Sequence, residues 1–376
     1  MKKIFVKLFA HQSKPDYVFV ISLFCIIFFG LVMLSSASSV LSYQKFHTPF
    51  YYIVRQILFG IIPGLILFFI CSRIDYHVWQ KYSFLLLSFS ILLLIAVFLP
   101  GIGFSYGGAR RWIHMGSFLI QPSEIVKLTF LLYLASWFSN RETRQVKDMA
   151  LGFLPFLVLV GIVASLIILQ PDVGTMGVII MIAFSMYFLA GAHIKHIILS
   201  IVGGIAALGI LIKIAPYRLN RFTTFLNPDA DPLGIGYHIN QALLAVGSGG
   251  LFGRGFGQSR QKFAYLPEAA GDSIFAIISE ELGFILSFLF IALCVFFVWK
   301  GLQIARNAPD RFGMFVVSGV MAWIIFQTFI NIGAMLALVP LTGIPLPFIS
   351  YGASSLIVLF IAMGIVVNVS RQTKRQ

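Results

Sequence analysis

Charge is scarce in this chain. Only 11% of its 376 residues are Asp, Glu, Lys or Arg, and just 13 are acidic, whereas about a quarter of a soluble globular domain is charged. That shortage excludes an ordinary water-soluble fold. Cysteine is scarce too. Cys25, Cys71 and Cys294 each lie in or at the end of an apolar run. They read as small core residues and exclude a disulfide framework. No internal repeat, low-complexity tail or separate soluble stretch interrupts the chain. The net charge of +14 does not mark a nucleic-acid binder, because the basic residues are parcelled out between apolar runs.

What the chain has instead is hydrophobic length. Apolar residues make up 59% of it, in continuous runs such as FLLLSFSILLLIAVFL. A bilayer core of about 30 Å takes roughly 20 residues of helix. A membrane barrel would show short alternating strands, which are not seen. The runs predict an all-α polytopic membrane protein, one integral domain over 1–376. Its ten spans fall near 17–38, 50–71, 81–99, 122–138, 150–169, 172–190, 197–214, 273–299, 313–338 and 351–369. The run from Tyr17 to Leu34 is long for a cleavable signal peptide and is read as the first span. With both termini inside, sixteen of the 27 Lys and Arg residues fall on cytoplasmic pieces, as the positive-inside rule asks. The expected location is a bacterial cytoplasmic membrane.

The exceptions to that rule are informative. Arg110 and Arg111 stay outside, in the Gly-rich loop PGIGFSYGGARRWIHMGSFLIQP. Five more cations (Arg218, Arg221, Arg254, Arg260 and Lys262) lie in a long outer loop, 215–272. That loop is too long to be a mere connector. Its GYHINQALLAV stretch predicts a helix lying on the membrane surface, with Ile239, Leu243, Leu244 and Val246 toward lipid. Outer cations suggest an anionic ligand such as a phosphate or pyrophosphate, although long loops also translocate regardless of charge.

Four polar constellations stand out. In QPSEIVK, Lys127 lies three residues beyond Glu124, on one helix face. A lysine at that depth faces protein and pairs with an acid, as a structural ion pair or as a cavity wall. In QPDVGT, Asp172 is placed to cap a helix. In LPEAAGDSIFAIISEELG, Glu268 and Asp272 precede a span, and Glu280 and Glu281 lie inside it. Asp272 reads either as the cap of that helix or as a general base whose pKa burial raises. The residues alone leave both open. Finally, VPLTGIPLPFISYGASS carries Pro340, Pro345 and Pro347 and cannot be a continuous helix. At membrane depth such backbone packs in protein or lines a cavity, and Asn331 points the same way.

Together, GARRWI, QPSEIVK, QPDVGT, RFTTFLNPDADPLGIGYHINQALLAVGSGGLFGRGFG, LPEAAGDSIFAIISEELG and PLTGIPLPFISYG resemble the SEDS family (shape, elongation, division and sporulation), over nearly the whole chain. The likeness is greater to its FtsW branch than to RodA. Members have ten spans. The resemblance implies a peptidoglycan glycosyltransferase that polymerises lipid II on the outer face of the membrane, with a class B penicillin-binding protein as transpeptidase partner, alongside other divisome proteins. It places the essential acid on Asp272, the family arginine on Arg111, the QPSE lysine on Lys127 and the PE glutamate on Glu268. On this reading Asp272 deprotonates the acceptor sugar hydroxyl. Arg111, Arg110 and Lys127 neutralise pyrophosphate as it leaves a polyprenyl-linked glycan, and Glu124 and Glu281 line the same cavity. A divalent cation, Mg or Mn, could assist, although no ligand cluster is apparent. Two departures bear on loop packing: AAGDSIFA stands where many members read HTDFIFA (Ala270, Gly271, Ser273), and Ala353 stands in SYGASS where many read SYGGSS. The competing readings are an elongation-type polymerase, a lipid II flippase and an inactive scaffold.

Overall fold

The computed structural model describes residues 14–106, 109–116, 118–214 and 216–373. Gly107 and Gly108 of the Gly-rich loop and the basic tail beyond 373 lie outside them. Among the described residues ten helices of 17 residues or more run in chain order. They are α1 (Tyr17–Phe46), α2 (Tyr51–Arg73), α3 (His77–Ala96), α4 (Pro122–Ser139), α5 (Met149–Leu169), α6 (Val173–Leu189), α7 (Ile194–Ile214), and, after two short ones, α10 (Ile274–Arg306), α11 (Arg311–Met335) and α12 (Ala353–Gln372). The short pair is α8 (Pro216–Leu226) and α9 (Ile235–Ser248). Seven of the ten are long and apolar enough to cross a membrane. Large apolar side chains such as Phe28, Phe84, Phe89, Phe188 and Phe288 are exposed, a surface that water disfavours and lipid accepts.

The interior is built on α11 and α12. Trp323 on α11 is fully buried. Phe138, Phe156, Tyr187 and Phe315 form a connected aromatic cluster where α4, α5, α6 and α11 meet. Small residues set the helix spacing, as they do in membranes. A Cβ on Gly364 of α12 would meet Phe68 of α2, and Gly64 of α2 is in turn covered by the Phe360 ring of α12.

Three features depart from the sequence reading. The loop after α3 is a three-stranded antiparallel sheet, β1 (Gly103–Tyr106), β2 (Ala109–Met115) and β3 (Phe118–Ile120). Its hydrogen-bonded edges satisfy backbone that an irregular loop would leave to water. The first and eighth spans are longer than expected, reaching Phe46 and Arg306. And α9 turns Ile239 inward, with Ala242 and Ala245, while Leu243 and Leu244 stay exposed and Val246 is half-buried. The helix packs on α10, so its buried stripe follows protein contact instead of lipid.

The long loop is fastened to α10 by ionic pairs. At Gly283 the helix breaks its regular geometry, with φ 75°. The backbone N–H groups of Phe284 and Ile285 donate to the carbonyls of Gly250 and Leu251. A Cβ at Gly283 would run into the Gly253 backbone. Beside this kink Glu280 accepts from Ser259 Oγ and from the N–H groups of Arg260 and Gln261. Glu281 takes Lys262 Nζ at 3.0 Å and Ser36 Oγ at 2.7 Å. Both carboxylates are buried, and each has the partners that burial demands.

Candidate functional site

The segment before α10 does not simply run into the helix. Glu268 adopts φ 49°, a left-handed conformation rare outside glycine. Its carbonyl accepts from the N–H groups of Gly271 and Ser273. This tight turn is docked on the proline-rich segment. Tyr351 N–H donates to Ala270 O at 2.9 Å, and Ser350 Oγ donates to Gly271 O at 2.7 Å. Asn331 of α11 completes the tie, its Nδ2 donating to both Asp272 O at 2.7 Å and Ile344 O at 2.8 Å. Phe348, in the same segment, is held at φ 64°. Left-handed backbone at a non-glycine residue four positions before the acid, and at another on the segment that receives the turn, is the kind of strain that functional sites retain.

Asp272 itself is half-buried and poorly partnered. The helix cap is Ser273, with no side-chain cap bond, so Asp272 does not cap α10. Its Oδ1 receives Ser273 Oγ at a long 3.4 Å, and Oδ2 faces Gly343. Burial first, then the negative charge of Glu268, push the Asp272 pKa up to about 7. A carboxylate poised there can take a proton at neutral pH. Glu268 is exposed, and its carboxylate lies against Gly271, where a Cβ would meet Oε2 at 3.2 Å. Glycine at 271 therefore gives that side chain its room. Two carboxylates fall short of a ligand set for Mg or Mn, and among the described residues no group of three or more His, Cys, Asp or Glu side chains converges.

The expected cations are arranged differently from one another. Lys127 is buried, 2.7 Å from Glu124 Oε1 and 3.0 Å from Gln327 Oε1, and lies over the Trp323 ring. Gln327 Nε2 donates to Pro345 O at 2.8 Å. Lys127 thus supports the proline-rich segment from beneath, while Glu124 Oε2 is left buried without a hydrogen-bond partner. Arg111, on β2, donates Nε to Gln170 O at 2.9 Å and an Nη2 proton to Pro171 O. It clamps the α5–α6 turn, whose Asp172 accepts Thr175 N–H as the expected cap and also receives Gln121 Nε2. Arg110, its neighbour at the point where the β1–β2 register shifts, is exposed. Glu281 is not brought to Asp272 at all. It lies nine residues along the helix, about 13 Å of rise, committed to Lys262 and Ser36.

Sequence reasoning passed over Gln327. The signal was present as Trp323, Gln327 and Asn331 at every fourth residue, one polar stripe on an apolar helix. It also passed over His238, whose Nε2 lies 2.6 Å from Ser273 Oγ.

Ten long helices with exposed apolar side chains define an integral membrane protein, with a candidate site where the Asp272 turn meets the far end of α11 and the proline-rich segment. Residues 16–375 match the family described as "Cell cycle protein", which groups FtsW, RodA and SpoVE. The chain belongs to that family. It is 44% identical over 364 residues to the stage V sporulation protein E of Bacillus subtilis, covering 96% of this chain and 99% of that one. It is 38% identical over 362 residues to a probable peptidoglycan glycosyltransferase FtsW of Geobacter metallireducens, covering 96% of each. Among solved structures it superposes on a chain of a peptidoglycan synthase complex with TM-score 0.78 at 27% identity, covering 95% of this chain and 98% of that one. It also superposes on Thermus thermophilus RodA with TM-score 0.70 at 26% identity, covering 96% and 98%.

Proposed function

We propose that the chain is a peptidoglycan glycosyltransferase that polymerises lipid II at the outer face of the cytoplasmic membrane, in septal wall synthesis, beside a class B penicillin-binding protein and other divisome proteins. The observation that carries the reading is Asp272. It is a weakly partnered carboxylate with its pKa raised to about 7, held by strained backbone, in a chain 38% identical to a protein named for this activity. Asp272 takes the proton of the acceptor sugar hydroxyl. The oxygen bonds to the anomeric carbon of the growing strand, and the bond from that carbon to pyrophosphate breaks with inversion. Pyrophosphate leaves readily, so one base suffices. Neutralising the leaving group falls to Arg110 and to the guanidinium protons of Arg111 not donated to carbonyls. Lys127 acts on the substrate only through the wall it props up.

The test uses purified protein with its transpeptidase partner and lipid II in detergent. Glycan polymer is expected from the wild type and none from Asp272→Asn. Equal polymer from both would make Asp272 structural. Lipid II transfer across vesicles without any polymer would favour the flippase reading, in which the buried Glu124–Lys127 pair serves transport. Cells depleted of the protein should form filaments, and round cells would assign it to elongation.

A further inference from the structure

His238 on α9 and Ser273 at the cap of α10 are 35 residues apart, yet their polar atoms meet at 2.6 Å. Ser273 Oγ is in turn 3.4 Å from Asp272 Oδ1. A serine hydroxyl has a single proton to donate. When that proton goes to Asp272, the partner on its other side has to be a donor. The imidazole fits, carrying its proton on Nε2. It is uncharged at neutral pH, since burial and then the charge of Arg221 push its pKa down to about 4.

We propose that His238, acting through Ser273, is a positioning residue for Asp272: the imidazole donates to the hydroxyl, the hydroxyl donates to Oδ1, and Oδ2 is left to take the acceptor's proton. The role in turnover rests on the glycosyltransferase reading; the hydrogen-bond chain does not. Oδ2 lies toward Gly343, where an added Cβ would stand 3.7 Å from it, and among the described residues it takes no hydrogen bond from another side chain. Donation to the charged carboxylate favours ionisation, so the relay works against the burial that raises the Asp272 pKa. The other charges acting on Asp272 are Glu268, which raises it, and Arg221, which lowers it. From α11 and the proline-rich segment the turn meets Asn331, Gly343, Ser350 and Tyr351, none charged at neutral pH. From α9 it meets His238 itself.

The test reads Asp272 directly. A hydrophobic carbodiimide labels protonated carboxyls, and mass spectrometry of the full-length protein gives the labelling midpoint between about pH 5 and pH 9. Ser273→Ala and His238→Ala should each raise that midpoint by about half a unit to one unit, and the double variant no further. His238→Gln, which keeps an N–H donor, should stay nearer the wild type. In parallel, kcat for polymer formation near pH 6.5 should fall by about threefold to tenfold in the two alanine variants, with KM for lipid II unchanged and the loss recovered at higher pH. Ser273→Ala is the milder change and carries the test should His238→Ala fail to fold. An unmoved midpoint in folded Ser273→Ala overturns the relay, as do losses that multiply in the double variant. A moved midpoint with an unchanged kcat profile overturns the role in turnover. A moved midpoint in a wild-type background that makes no polymer supports the relay and defeats the glycosyltransferase reading instead.

Discussion

Asp272 and the pair Glu280–Glu281 sit within nine residues of each other, and the protein treats them in opposite ways. Glu280 and Glu281 are buried and saturated: serines, backbone N–H groups, Lys262 and Arg254 account for them. Asp272 keeps one long hydrogen bond from a neighbouring side chain, a like charge nearby and a raised pKa. The first arrangement spends polar groups on holding a loop in place. The second leaves a polar group underemployed, which is how a fold stores reactivity. Acids that look alike in one motif, PEAAGDSIFAIISEE, therefore divide by their partners into a fastening and the group proposed as the base.

The sharpest way to break this contrast is substitution on each side of it. Asp272→Asn should lower polymerisation by about a thousandfold, measured as glycan product per folded protein. It should not lower stability. The folded-state pKa of Asp272 lies above its ordinary value, so the proton is held more tightly by the folded protein. Stability linked to it is present below about pH 4 and is lost as pH rises through about 7. The asparagine variant, which never ionises, should thus unfold at an equal or higher temperature than wild type at pH 8. Lys262→Met makes the opposite prediction. It strands the Glu281 carboxylate in a dry site and should cost about 3 kcal/mol or more in detergent unfolding, with turnover per folded molecule within about twofold of wild type. Gly283→Ala should cost about 2 kcal/mol by forcing a side chain into a left-handed position against the Gly253 backbone. The wild-type rate should fall about tenfold per unit of pH below about 7, as Asp272 takes up its proton. The smallest effect belongs to Arg110→Ala, where loss of an exposed cation should cut kcat/KM by about fivefold and flatten its dependence on salt.

Much of the architecture was legible because membrane helices announce themselves locally. The ten expected spans overlap the ten long helices, and the Asp172 cap and the Glu124–Lys127 pair follow from spacing alone. What was not legible depends on distant partners. Nothing near Glu281 in the sequence names Ser36, 245 residues away, so a saturated acid and a substrate-lining one looked the same. Nor does anything near Arg111 name the two carbonyls of the α5–α6 turn that it also holds. The sheet at 103–120 was hidden by its glycines, which suit loops and bulges equally. For Asp272 the residues offered a cap or a base. The structure removes the cap by giving that position to Ser273.

Helix α11 is anchored at both ends. At one, Asp310 caps it and receives the Tyr76 hydroxyl, with His77 Nε2 at 2.9 Å. At the other, Asn331 holds the Asp272 carbonyl. Twenty-one residues of helix separate these anchors, about 31 Å. Such a strut is a lever. Tilting it by about 2° at the Asp310 end would swing the Asp272 turn by about 1 Å, and an ångström is enough to change a rate by about a hundredfold. A displacement at the Asp310 end of the helix thereby has a rigid path to the Asp272 turn at the other.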